Sequence, residues 1–268
     1  MRNLLYIVLL MFFASCTSGG RYKYRFQPED FFSGDLLPLA KAIYDDDAKT
    51  VGDYILNKGV DVNTVDKKEG YTLLLYAVST GSKSVIKLLL EQGADPNLVS
   101  ETKVYESRKS DIYSIFNRYP LSDATYEYDL FYAKILLQYG ADPNLGNPLQ
   151  VAIINAPEKS VFKMFDLLLE QGSNINAIDK DNDTPLFLSI FISRTDYANY
   201  FLDHGANVNI ICRDGETAAY RLQKYIDRKD VKFRETYIRK IQPTIARFEA
   251  RGVKFPVEKP EKPIESNE

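Results

Sequence analysis

The chain has one histidine, two cysteines, three methionines and no tryptophan in 268 residues. A single imidazole and at most two thiols are too few for a zinc site of the usual ligand type. Any Ser-His-Asp or Cys-His set would have to be built around His204 alone. Excess positive charge is missing as well: 34 Lys and Arg stand against 37 Asp and Glu, for a net charge of -3. Phosphate backbones are held by clustered cations, so nucleic acid drops out as a partner. Long hydrophobic runs are also lacking. The eleven residues from Leu4 to Ala14 (LLYIVLLMFFA) fall short of the about 20 that span a bilayer.

What is present at the start reads as a targeting segment. Arg2 supplies a positive charge, the Leu4–Ala14 run suits a signal-peptide apolar region, and Phe13-Ala14-Ser15-Cys16 closes it. These four residues resemble the lipobox of bacterial lipoproteins, with Phe13 in place of the usual leucine. The resemblance implies a signal peptide over residues 1–15, acyl chains on Cys16 and a polar tether over 16–30. An ordinary cleaved signal with an incidental cysteine is the plainer alternative. By analogy with enterobacterial sorting, the absence of Asp after Cys16 points to the outer membrane, facing the periplasm. Lipid on Cys16 would leave Cys212 without a partner in the chain, which excludes an intramolecular disulfide framework.

Internal repetition is the strongest feature. A short phrase recurs as GVDVN at 59–63, GADPN at 93–97 and again at 140–144, GSNIN at 172–176 and GANVN at 205–209. The leading glycines are spaced by 34, 47, 32 and 33 residues. Each follows a bulky apolar triplet, such as Leu88-Leu89-Leu90 or Tyr200-Phe201-Leu202, that closes an amphipathic helix. Glycine just beyond takes the left-handed conformation that ends it. Upstream lie Pro38-Leu39, Thr72-Leu73-Leu74, Tyr119-Pro120-Leu121, Pro148-Leu149 and Thr184-Pro185-Leu186, mostly followed one turn later by a small residue. Proline suits a first helical turn, where its missing N–H has no partner anyway.

These residues resemble the ankyrin repeat, over roughly 35 to 217 with a degenerate unit beyond. The resemblance implies an all-α ankyrin-repeat solenoid of about six helix-turn-helix units, over 31–254. Residues 218–254 read as a helical C-terminal cap, in which Ile238, Ile241, Ile245 and Phe248 share one face and Pro243 is placed to kink the helix. Residues 255–268 read as a disordered tail. The stretch 98–118 is an insertion, either a partner-gripping loop or a lid on its own repeats. Asn182 replaces the usual turn glycine and tolerates the same left-handed geometry.

In the ankyrin family, partner contacts fall on the tips of the turns, or fingers, and on the two residues that end each first helix. Carried onto this sequence, the pattern selects Tyr44, Tyr71, Thr80, Arg118, Tyr126, Glu127, Ile154, Asn155, Asp183, Phe191, Ile192 and Tyr225. The 19 Tyr and 15 Phe serve either core packing or recognition.

Chemistry-bearing patterns are sparse. His204 falls at the exposed end of a second helix. Gly81-Ser82-Lys83-Ser84 lacks the upstream glycine of a phosphate loop and falls between two helices. Asp45-Asp46-Asp47 is likewise a loop between helices, and Cys212 sits in a finger. No catalytic residues, metal or cofactor are implied, nor a small-molecule substrate. The sequence therefore predicts a non-enzymatic, envelope-anchored module whose partner is another protein, periplasmic or secreted. Its sharper form is an inhibitor or immunity protein against a secreted toxin or lipase; the alternatives are a scaffold for an envelope complex, or an enzyme with its site in the insertion or C-terminal segment.

Overall fold

A computed structural model describes residues 26–105, 113–127, 129–227 and 234–260. Residues 1–25, including those read as a signal peptide, Cys16 and most of the expected tether, lie outside the described residues, as do 106–112 of the insertion and 261–268. The chain divides into two compact units, Met1–Ala124 with Phe131–Ala141, and Thr125–Leu130 with Asp142–Glu268.

In the first unit a short helix α1 (Pro28–Phe31) precedes three helix pairs: α2 (Leu37–Tyr44) with α3 (Ala48–Leu56), α4 (Leu73–Thr80) with α5 (Lys83–Glu91), and α6 (Pro120–Ala124) with α7 (Phe131–Gln138). First helices pack on first helices (α2 on α4, α4 on α6) and second helices on second helices (α3 on α5, α5 on α7). The second unit repeats this plan with α8 (Pro148–Asn155) and α9 (Val161–Glu170), α10 (Pro185–Phe191) and α11 (Thr195–Asp203), then α12 (Ala218–Ile226) and α13 (Arg234–Glu249). Here α8, α10 and α12 form one row, and α13 packs on α11.

The recurring residues explain the recurring turns. Thr72, Thr184 and Thr217 cap their helices, each Oγ1 accepting from the backbone N–H three residues on. At the exit, Gly93 has φ +88, and Ala94 N–H donates to Leu89 C=O, satisfying a carbonyl that the helix end would leave open. The closing asparagine then clamps the next repeat. Asn63 Oδ1 accepts from Asp95 N–H at 2.8 Å and its Nδ2 donates to Gly93 C=O. Asn97 Nδ2 reaches Gly140 C=O at 2.9 Å. In the second unit Asn144 and Asn176 do the same for Asn174 N–H and Asn207 N–H. Asn182 takes φ +64, as its glycine-like position requires.

The cores are apolar rows between the helices: Leu39, Ile43, Val51, Leu75, Ile86 and Leu89 in the first unit, Phe165, Leu168, Phe187, Phe201, Leu222 and Phe248 in the second. Many aromatics serve this packing. Phe165 meets Tyr197 edge-on at 5.4 Å and Phe201 at 4.9 Å, geometries that add to simple area burial.

Two readings change, and the expected helical cap gains its detail. The insertion is not a loop throughout. Strands β1 (Ser100–Tyr105) and β2 (Tyr113–Arg118) pair antiparallel, Ser100 opposite Arg118, so one finger is a β-hairpin added to otherwise helical repeats. The segment read as a cap supplies a full helix pair whose second member runs through Pro243 as one helix. Its buried face is Ile241, Thr244 and Phe248, with Ile238 and Ile245 half-buried at its margins. Residues 255–260, read as the start of a tail, instead lie against the last repeat: Phe255 meets Phe248 at 6.2 Å and Val257 N–H faces Gln223 Oε1 at 3.4 Å.

Candidate interaction surface

In the first unit Tyr71, the residue just before the Thr72 cap, joins its finger to neighbouring segments. Tyr71 is 3% exposed. The Phe31 ring meets it edge-on at 4.8 Å, while the Arg118 guanidinium lies 5.1 Å from its centroid and donates to its hydroxyl. Arg118 also pairs with Asp123 on α6. Burial, partly offset by Arg118, pushes the Tyr71 hydroxyl up to about 12, so it stays protonated at neutral pH. Tyr71 therefore ties its finger to Phe31 and to Arg118. Thr80 is buried too, its Oγ1 donating to Tyr76 C=O at 2.9 Å. Tyr44 is half-buried and its hydroxyl accepts from Gln27 Nε2 at 3.0 Å.

In the second unit the same pre-cap position holds Asp183, fully buried, with its Oδ1 accepting from Arg213 Nε at 2.8 Å. A carboxylate so placed is an internal tie between two fingers. The other chosen positions lie at the surface. Tyr126, Glu127, Ile154, Asn155, Phe191 and Tyr225 are half-buried and Ile192 is 38% exposed. Ile154, Phe191–Ile192 and Tyr225 end α8, α10 and α12, which pack in sequence, so the structure brings them into one row. Phe191 is held rigidly: the Arg213 and Arg221 guanidiniums lie 4.7 and 4.8 Å from its ring centroid, and Tyr225 Oη donates to its C=O at 2.9 Å. Arg221 is in turn fixed by buried Glu216 at 2.9 Å, which Lys224 also reaches.

One set escaped the sequence reading. Val65, Ile178 and Ile211 each stand two residues after the asparagine that closes a repeat phrase (Asn63, Asn176 and Asn209), and they are 41%, 51% and 38% exposed. Their signal was readable: β-branched residues at a fixed offset, outside both the apolar triplets and the helix starts. Solvent alone gives no reason for isoleucine at that place in consecutive repeats.

The remaining candidates are structural. His204 ends α11, exposed and stacked on Tyr200 at 4.0 Å. Cys212 is buried, and burial pushes its thiol up, away from the reactive thiolate. Ser82 Oγ donates to Ile43 C=O, and Asp47 caps α3. Among the described residues no group of His, Cys, Asp and Glu is placed to hold a metal.

Burial raises both Asp179 and Asp183, against opposing hydrogen bonds from Asp183 and Asp181 backbone for the former and from Arg213 for the latter. A carboxyl raised on folding favours the native state at low pH, and that contribution is lost as pH climbs through the folded value. Asp179 Oδ1 only accepts, from Asp181 and Asp183 N–H at 2.9 Å, a role an amide oxygen also fills. The Asp179→Asn chain should therefore melt higher than wild type at neutral pH. The gap should narrow as pH falls toward the ordinary carboxylate range. Thermal melts across that range test this; a gap that widens in acid would refute it.

Comparison with known proteins agrees with this geometry. A family model described as "Ankyrin repeats (3 copies)" matches residues 24–100. Among solved structures, the human ASB11 ankyrin repeat domain superposes with a TM-score of 0.56 at 20% identity, over 83% of this chain and 86% of that one. The ankyrin repeat domain of Bcl-3, described as a unique member of the IkappaB protein family, gives 0.60 at 20% identity, over 83% and 89%. No curated protein matches the sequence. Residues 24–100 carry ankyrin repeats by sequence, and the chain as a whole has the ankyrin-repeat fold.

Proposed function

We propose that this chain is a protein-binding module held in a bacterial envelope by acyl chains on Cys16, with its second unit as the main partner surface. Ankyrin-repeat domains are typically non-enzymatic binding scaffolds. The observation that carries the reading is Phe191, a half-buried ring gripped by two arginines in a row with Ile154, Ile192 and Tyr225. A prefixed aromatic surrounded by apolar and arginine neighbours loses little freedom on binding, and such groups commonly dominate affinity. Ile178 and Ile211 extend the apolar area onto the fingers. The partner is a periplasmic or secreted protein; the sharper reading is a toxin or lipase that the module neutralises, the broader one an envelope complex that it scaffolds.

The test is affinity capture from envelope and secreted fractions with the chain from Thr17, alongside a Tyr126→Ala/Ile154→Ala/Phe191→Ala control. One stoichiometric partner should bind the first and bind the control weaker by roughly 30-fold or more, the scale of a lost hot spot of about 2 kcal/mol. Equal affinity for both would place the interface elsewhere. The partner's own activity, lost or kept when bound, separates inhibitor from scaffold.

A further inference from the structure

The segment after α13 repeats the exit turn of the earlier repeats. Gly252 follows Gly205 by 47 residues, the same interval that separates Gly140 from Gly93. Its φ is +84 against +88 at Gly93. Gly252 N–H donates to Glu249 C=O and Val253 N–H to Phe248 C=O, as Gly93 and Ala94 do to Leu90 and Leu89. Beyond Val253 the chain departs from the pattern. Where GADPN has Asp-Pro-Asn, this turn has Lys254-Phe255-Pro256. In the earlier turns the Asp accepts from the Asn backbone, as Asp95 does from Asn97 N–H at 2.8 Å. Lysine offers no acceptor and proline no N–H, so that turn cannot form, nor does Pro256 have an amide with which to clamp another repeat.

The chain nevertheless continues along a finger's path. Phe255 packs on Phe248, Val257 reaches Gln223 on α12, and the Lys259 Cε lies 3.9 Å from where a Cβ on finger residue Gly215 would stand. In the first unit, β1 crosses the equivalent finger glycine, Gly70, at Glu101. The fit here is looser. A cleft of about 440 Å³, lined by Asn209, Thr217, Arg251, Val253 and Val257 among others, remains beneath the strap.

We propose that residues 253–260 take the place of the finger that would follow the sixth helix pair and cover the end of the second unit against stacking by a second copy of this chain. An ankyrin repeat is built to be covered by another on each side, and one left bare exposes its apolar face. The strap lies against that end through Phe255 on Phe248 and Val257 at Gln223, while Pro256 withholds the clamp that would recruit a further repeat. A second copy is the natural occupant of a bared end, because it carries the same ladder groups.

The experiment compares the wild-type chain with Phe255→Ser/Val257→Ser and with a chain stopped after Gly252, by sedimentation velocity over a concentration series and by circular dichroism. Wild type should sediment as a monomer. Both variants should keep their helical signal while their mass rises with concentration toward two copies or more. Variants that remain monomeric would overturn the proposal, as would a self-associating wild type. Loss of helical signal in both variants would overturn it as well, since 253–260 would then belong to the core rather than cover it.

Discussion

Replacing Asp183 by alanine should destabilise the second unit by about 3 kcal/mol, the lower end of the range for breaking a buried ion pair. Asp183 is fully buried and meets Arg213 through both carboxylate oxygens. Alanine removes the partner that holds the Arg213 guanidinium over Phe191. The lower end applies because the Arg213 side chain keeps 24% exposure and Asp181 stands 3.8 Å away, so its charge is not stranded. Arg213→Ala has a different limit: it leaves a buried carboxylate, which relieves itself by taking a proton. The double variant should lose less than the sum of the singles. Urea unfolding of the four proteins reads the coupling directly; strict additivity would show that the pair is not the source of the stability. The same substitution should weaken partner capture, because Phe191 loses one of its two supports.

Gly70→Ala has the second large expected effect, and it separates two causes that glycine substitutions usually mix. Gly70 has φ +74, and a Cβ there would lie 2.2 Å from the Glu101 carbonyl oxygen and 2.9 Å from its carbon. The obstacle is backbone held in a β-ladder, not a side chain able to swing aside. Gly93, with φ +88, has open space around the same position. Gly93→Ala should therefore cost only the left-handed strain, about 1 kcal/mol. Gly70→Ala should cost about 3 kcal/mol, as strain adds to steric overlap, and should free β1 from the finger, undoing the Thr72 N–H to Ser100 Oγ bond. Hydrogen exchange at Thr72 and through β1 checks it: protection lost in Gly70→Ala and kept in Gly93→Ala is the expected result. Equal behaviour of the two would mean that the finger moves to make room.

Both predictions concern places where sequence reasoning stopped short, and for one reason. The repeat phrase encodes contacts at fixed sequence offsets. Glycine exits and first-turn prolines act within a few residues, so they were legible, whereas the threonine caps and the asparagine clamp, which spans 32 residues from Asn63 but 43 from Asn97, came from the structure. Helix boundaries and the left-handed Asn182 followed for the same reason. Of the partner positions, those ending the first helices of the second unit emerged at the surface in a row.

Tyr71, Thr80 and Asp183 did not, because solvent exposure at a finger or helix end depends on what the neighbouring repeat places beside it. In Tyr71's case these are Phe31 and Arg118, 40 and 47 residues away in the chain; in Asp183's it is Arg213. The exposure of Ile178 and Ile211 is the converse, apolar residues that no neighbour covers.

The repeat, its period and the all-helical pairs were set by residue order alone, since these rest on local hydrogen bonding and periodic burial. The packed chain was needed for the rest: that the insertion pairs as a hairpin, that charged and aromatic finger residues turn inward, and that 253–260 returns onto the last repeat. Those outcomes depend on which side chains the neighbouring segment presents, and burial there is a property of the assembled neighbours rather than of the residue.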